Sequence, residues 1–251
     1  MTEVEKEIRE QQKSNPKKMN TREKADYLWS YYKWYLIGAI LAVVIVCTLI
    51  RDISYGSKPS YINAVIMNAD PSFDPADRLV PDLMDFAGVD PKKYRINIDT
   101  SMYISEAPET AQITMGSEQK LAALYAAGEI DVMIAPESVF EHYPEADLFK
   151  DPFTILEADY IERLREKGFL PYYKKENAPD TKENSGNENA GKKDGEKCLG
   201  IIVNNSSYLN EIGVYDGLYL EKNSPVIYSF SSISDDIKSS VNLLGLLTGV
   251  Q

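Results

Sequence analysis

The chain carries a single histidine, His142, and two cysteines, Cys47 and Cys198. One imidazole excludes metal sites built from two or three histidines, and leaves a single candidate base for a serine or cysteine nucleophile. His142 stands late in a short expected helix, in the run Phe140-Glu-His-Tyr143, and no serine or cysteine motif points to it. Carboxylates are abundant: 39 are spread along the chain, with close pairs at Asp70/Asp74, Glu145/Asp147 and Asp235/Asp236. None falls in a spaced calcium loop of the D-x-D-x-D-G kind, so helix starts and solvated faces account for them. Neither a glycine-rich phosphate loop nor a G-x-S-x-G elbow is present in the sequence. The expectation is a chain that is not an enzyme and holds no metal or cofactor.

Binding is a different matter. Ligands of open α/β sheets sit outside the carboxyl ends of the strands, near a topological switch. Here those ends supply Asn68, Asp70, Thr100, Ser101 and Glu137, short or acidic polar residues beside expected helix starts. They are the candidate ligand-binding residues. The same residue types also serve as caps and turns.

The elements that would position them can be read from periodicity. Residues 61–67 form an apolar run closed by the turn signal Asn68-Ala-Asp-Pro71, which predicts a first buried strand. Asp74 followed by Pro75 predicts a helix start, with Leu79, Leu83, Met84 and Phe86 inward, Gly88 as the stop, and Pro81 as a weak point. A second strand is expected over 94–98. Ser117 is the expected cap of a helix with Leu121, Leu124 and Tyr125 inward, closed by Gly128. A third strand is expected over 130–135, and Pro136 opens another short helix. Further on, 158–167 reads as helix, 169–173 as extended, 198–204 and 226–230 as strands, and Ser234 as the cap of a last helix. Residues 176–197 have no apolar face and are rich in Asn, Gly, Lys and Glu, which predicts a disordered insertion. Strands alternating with helices across short loops predict a mainly parallel sheet covered by helices.

One stretch fixes location. Residues 35–50 hold no charge, and Tyr27, Trp29, Tyr31, Tyr32, Trp34 and Tyr35 gather at one end. An apolar helix from 29 to 51 is long enough to cross a hydrocarbon core of about 30 Å, with the rings at one interface. Met1 to Lys33 carries eight Lys/Arg against six Asp/Glu, whereas residues 51–251 carry nineteen against thirty-three. The positive-inside bias puts the N-terminus in the cytoplasm and the large domain outside, with the span kept as an uncleaved anchor in the cell membrane. The division is then a cytoplasmic tail over 1–28, a span over 29–51, a tether over 52–60 and an extracytoplasmic α/β domain over 61–251. Cys47 and Cys198 fall on different sides and cannot pair, so Cys198 reads as a small buried hydrophobe. A domain this acidic is a poor partner for nucleic acid.

The segment Gly116-Ser-Glu-Gln-Lys-Leu-Ala-Ala-Leu-Tyr-Ala-Ala-Gly-Glu-Ile-Asp-Val-Met-Ile-Ala135, followed by Pro-Glu-Ser-Val-Phe140, resembles extracellular solute-binding proteins that serve ABC importers. Gly200-Ile-Ile-Val-Asn-Asn205, Ser224-Pro-Val-Ile-Tyr-Ser-Phe230 and the closing helix to Leu247 look like that family's late strands and terminal helix. The aromatic anchor is similar to that of single-pass proteins of Gram-positive bacteria. The resemblance implies a periplasmic-binding-protein-like domain, reduced in size. It also implies a non-catalytic module that takes a small polar solute and acts with a transporter or sensor membrane protein. The other expectation is a structural or assembly protein that uses the same fold as a docking surface, without a small ligand.

Overall fold

A computed structural model describes residues 21–143, 146–173, 197–215 and 224–250. The expected insertion over 176–197 lies almost wholly outside these residues, as does most of the expected N-terminal tail. The chain divides into two compact units, Met1–Ser57 and Lys58–Gln251.

The first unit is helix α1 (Thr21–Gly56), 36 residues and therefore about 54 Å long. Its segment Lys33–Arg51 is long and apolar enough to cross a membrane, by length and composition. Trp34, Leu36, Ile40, Val44 and Ile50 are all exposed, as a surface that faces lipid must be. The helix runs past residue 51, so the expected tether over 52–60 is helical in its first half: nothing before Gly56 and Pro59 interrupts it.

The second unit is an α/β domain on one seven-stranded sheet. Its elements are β1 (Ser60–Ile66), α2 (Leu79–Ala87), β2 (Arg95–Asp99), α3 (Ala111–Ala126), β3 (Val132–Pro136) and α4 (Glu137–His142). They are followed by β4 (Phe149–Lys150), α5 (Pro152–Ile155), α6 (Ala158–Glu166), β5 (Pro171–Tyr173), β6 (Cys198–Ile202), α7 (Ser207–Glu211), β7 (Val226–Ser231) and α8 (Ile237–Thr248). The strand order is β2-β1-β3-β7-β6-β5, with β4 pairing β7 off that path.

The sheet is mixed, which corrects the expectation of a mainly parallel one. Parallel pairing is confined to β1–β2 and β1–β3. The pairs β3–β7, β4–β7, β6–β7 and β5–β6 are antiparallel. So β4 and β6 run with the first three strands, and β5 and β7 run against them. Strand β7 takes the edge of β3 that β1 leaves open, and strand periodicity, which is the same for either direction, does not fix how it runs.

Alternation along the strands divides the core into two layers. Ile62, Ala64 and Ile66 of β1, with Val132 and Ile134 of β3 and Tyr228 and Phe230 of β7, belong to one layer. Leu79 and Leu83 of α2, Leu164 of α6 and Leu243 of α8 cover that layer, all of them fully buried. Each such leucine contributes about 1.5–3 kcal/mol of burial. Val65, Met67, Met133, Ala135 and Ile227 belong to the other layer, which α3 and α4 cover through Leu121, Val139 and Phe140.

Three expected caps are displaced. Helix α2 starts at Leu79, not at Asp74, because Pro81 has no N–H to donate and is tolerated only in a first turn. Asp74 Oδ1 instead accepts from Ala76 N (2.9 Å) in a local turn. Helix α3 starts at Ala111 behind a 3-10 turn over Pro108–Thr110, and Ser117 lies inside it, accepting from Tyr103 N at 2.9 Å. Asp236, not Ser234, caps α8, accepting from Ser239 N at 3.2 Å. Ser234 Oγ donates to Asp131 Oδ1 (2.5 Å) instead. Cys198 opens β6 fully buried, and burial pushes its thiol up to about 12, so it packs as a hydrophobe.

Candidate functional site

Strand β1 lies between β2 and β3, so the chain order reverses at β1 and the carboxyl ends of β1 and β3 form a topological switch. The five candidate residues are placed around this end of the sheet in three different ways.

Asn68 follows β1 in the left-handed region (φ 56°), which asparagine adopts more readily than most residues with a Cβ. Its Nδ2 donates to Ile104 O (2.8 Å), and its Oδ1 accepts from Ile104 N (2.8 Å). Its own N–H donates to Met102 O at 3.0 Å. The amide therefore acts as a strand partner for 102–104 and is itself buried.

Asp70 donates its N–H to Val214 O (2.8 Å), and its Oδ1 accepts from Ser72 N (2.8 Å) and Ser72 Oγ (2.6 Å). Those bonds from Ser72 hold its carboxyl below the usual range. Thr100 and Ser101 close β2. Ser101 N and Oγ donate to Asp99 Oδ1 (3.0 and 2.8 Å), and Lys120 Nζ bridges Ser101 Oγ (2.8 Å) and Asp99 Oδ2 (2.5 Å). Burial works against the charge of Asp99, but the bonds from Lys120 and Ser101 outweigh it and hold the pKa low. Glu137 donates its N–H to Pro225 O (2.8 Å), and its carboxylate stands beside Tyr172. Burial first, then Glu137, raises the Tyr172 phenol.

A cavity of about 420 Å³ opens at the switch. Of the five candidates, Asn68 lines it; Asp70, Thr100, Ser101 and Glu137 do not. Its polar wall comes from residues that the strand-end reading passed over: Ser138, Glu141 and His142 of α4, with Ser105 and Glu106 of the 102–107 segment. The sequence did hold a signal for the first three. Positions 138, 141 and 142 have i, i+3, i+4 spacing and share one helix face. Pro136 turns the chain into α4 straight from β3, which brings that face over the strand ends.

His142 Nε2 meets Glu118 Oε1 of α3 at 2.6 Å, and the imidazole stands edge-on to the Tyr143 ring at 5.4 Å. This pair pins the end of α4 to α3. On the other face of the sheet the Tyr215 hydroxyl donates toward Met67 O (3.3 Å) and Ile134 O (3.4 Å), filling the gap between β1 and β3 there. Burial raises that phenol, as it does for a hydroxyl held among carbonyls away from water. Among the described residues no group of three or more His, Cys, Asp or Glu is placed to hold a metal ion. What the cavity offers is hydroxyl, carboxylate and imidazole groups on its rim, suited to hydrogen-bonding a small polar molecule.

Compared with known proteins, the chain matches no family model, no curated protein and no solved structure.

Proposed function

We propose that the chain is a non-catalytic binding module anchored in the cell membrane by α1, whose outer α/β domain takes a small polar solute at the β1/β3 switch. One observation carries this reading: the cavity of about 420 Å³ at the strand ends, with Ser138, Glu141 and His142 converging on it. Its size falls in the range of small-molecule sites, and its place is where open α/β sheets bind ligands. Glu106 and Glu141 add negative potential, so neutral or cationic solutes such as sugars, amino acids or short peptides suit it better than anions. The solute-binding-protein likeness of the sequence accords with this role, in a domain reduced in size. In this reading the outer domain hands its solute, or its bound state, to a transporter or sensor membrane protein.

Thermal-shift screening of the full chain in nanodiscs tests the binding. A cognate solute should raise the melting temperature by several degrees, and Glu141→Gln with Ser138→Ala should remove the rise. No rise with any compound would contradict the reading. It would favour the second one, a docking surface without a small ligand, with which the engagement of the Asn68 amide by Ile104 accords. Protease treatment of intact cells should remove residues beyond 60, and protection of them would contradict the topology.

A further inference from the structure

A second cavity, about 390 Å³, lies between α3 and the sheet, and its chemistry is the opposite of the first. Leu121, Tyr125, Ile130, Met133 and Phe149 make its walls apolar. Glu118, Ala122 and Ala126 follow each other at i, i+4, i+8 along α3. The two alanines are exposed at the opening, where larger side chains would have closed the layer. Glu118 stands at the rim, held there by His142.

The floor contains a polar atom that the packing does not explain. On β7 the residues that alternate away from Tyr228 and Phe230 are Ile227, Ser229 and Ser231. Ser231 is 2% exposed, lines the cavity, and its Oγ has no hydrogen-bond partner. A buried hydroxyl without a partner is unfavourable, and such groups are rare in folded chains. Mostly apolar walls with a few placed polar groups are the usual form of a small-molecule site.

We infer that this cavity is a second binding site, for a neutral small molecule with a hydrocarbon body and a single hydroxyl group, of the medium-chain alcohol kind. The body replaces water against Leu121, Met133 and Phe149, and the hydroxyl pairs with Ser231 Oγ, which both donates and accepts. Glu118 at the rim disfavours a carboxylate head, so the matching fatty acid is rejected. The volume lies near the small end of ligand pockets, which sets a body of modest length.

The test uses the full chain in zwitterionic nanodiscs, with [13C-methyl]methionine and 1-octanol as the probe. Met133→Leu identifies the Met133 methyl signal. That signal should shift saturably with 1-octanol, while octane, which has no hydroxyl, binds about fivefold more weakly. Ser231→Ala should weaken 1-octanol by the same factor and leave octane unchanged. Ala122→Phe fills the cavity and should abolish the saturable shift, with the buried Met102 signal unmoved as proof of folding. A Met133 signal that does not saturate, or saturates equally in Ala122→Phe, overturns the site. Octanoate binding as tightly as 1-octanol overturns the assignment of a neutral head. Met133 does not line the strand-end cavity, so either outcome is read separately from solute binding there.

Discussion

The two faces of the sheet are closed in different ways. On the α2/α6/α8 face, leucines of three helices reach the strands and are fully buried. On the α3/α4 face Leu121, Val139 and Phe140 reach the strands, but alanines, a glutamate–histidine pair and short polar side chains stand beside them, and cavities of about 390 and 420 Å³ open there. The first face is filled over the middle of the sheet, and its cavity of about 420 Å³ sits at the margin, between Gly88 after α2 and Ser239 of α8. The second leaves its cavities against the strands themselves, the arrangement that the proposed binding requires.

Substitution across the two faces gives the largest contrast. Leu164→Ala should cost about 3 kcal/mol, because it removes a fully buried side chain and opens a cavity beneath α6. Ala122→Leu on α3 should leave stability within about 0.5 kcal/mol of the parent, because the added atoms enter existing space. Urea unfolding of both variants checks this, and comparable losses would erase the difference between the faces.

A smaller effect sharpens the role of Asn68. Asn68→Ala leaves Ile104 N–H and C=O without partners and forces a Cβ residue to φ 56°, so it should cost about 2–3 kcal/mol. Asn68→Gly, which keeps the backbone conformation, should lose less. Equal losses would mean that the side-chain bonds, not the left-handed backbone, set the cost.

The smallest effect is electrostatic. The Asp99 carboxyl is held low in the folded chain, so its contribution is present above the ordinary aspartate value of about 4 and is lost as pH falls through the folded value. With Lys120 46% exposed, the pair is worth about 1 kcal/mol or less. Melting temperatures from pH 6 down to pH 2 should therefore fall less steeply for Asp99→Asn than for the parent. Parallel curves would show that the bridge contributes nothing.

Much of this domain is legible from local pattern. The runs at 61–67, 130–135 and 226–230 are apolar on both faces, and each is a strand with helices on both sides of it. Glycine stops are equally local, and Gly88 and Gly128 take the left-handed conformation that ends a helix. What pattern could not supply is partnership. Nothing in Val226–Ser231 states that it pairs antiparallel with β3, and nothing in Ser117 or Ser234 states that each hydroxyl serves a distant partner and not a helix start. The site was half legible for the same reason. Asn68 is at the strand end as expected, but its amide is engaged by Ile104, and the polar rim comes from Ser105 and Glu106 and from one face of α4, the latter visible only as a spacing.

The most direct test of a binding face at the α3/α4 side is amide hydrogen exchange of the full chain with and without pooled sugars, amino acids and short peptides. At least one pool should slow exchange in α4 and in residues 103–107, and leave α2 and α8 unchanged. If no pool slows exchange there, or if protection falls on α2 and α8 instead, the assignment of that face is contradicted.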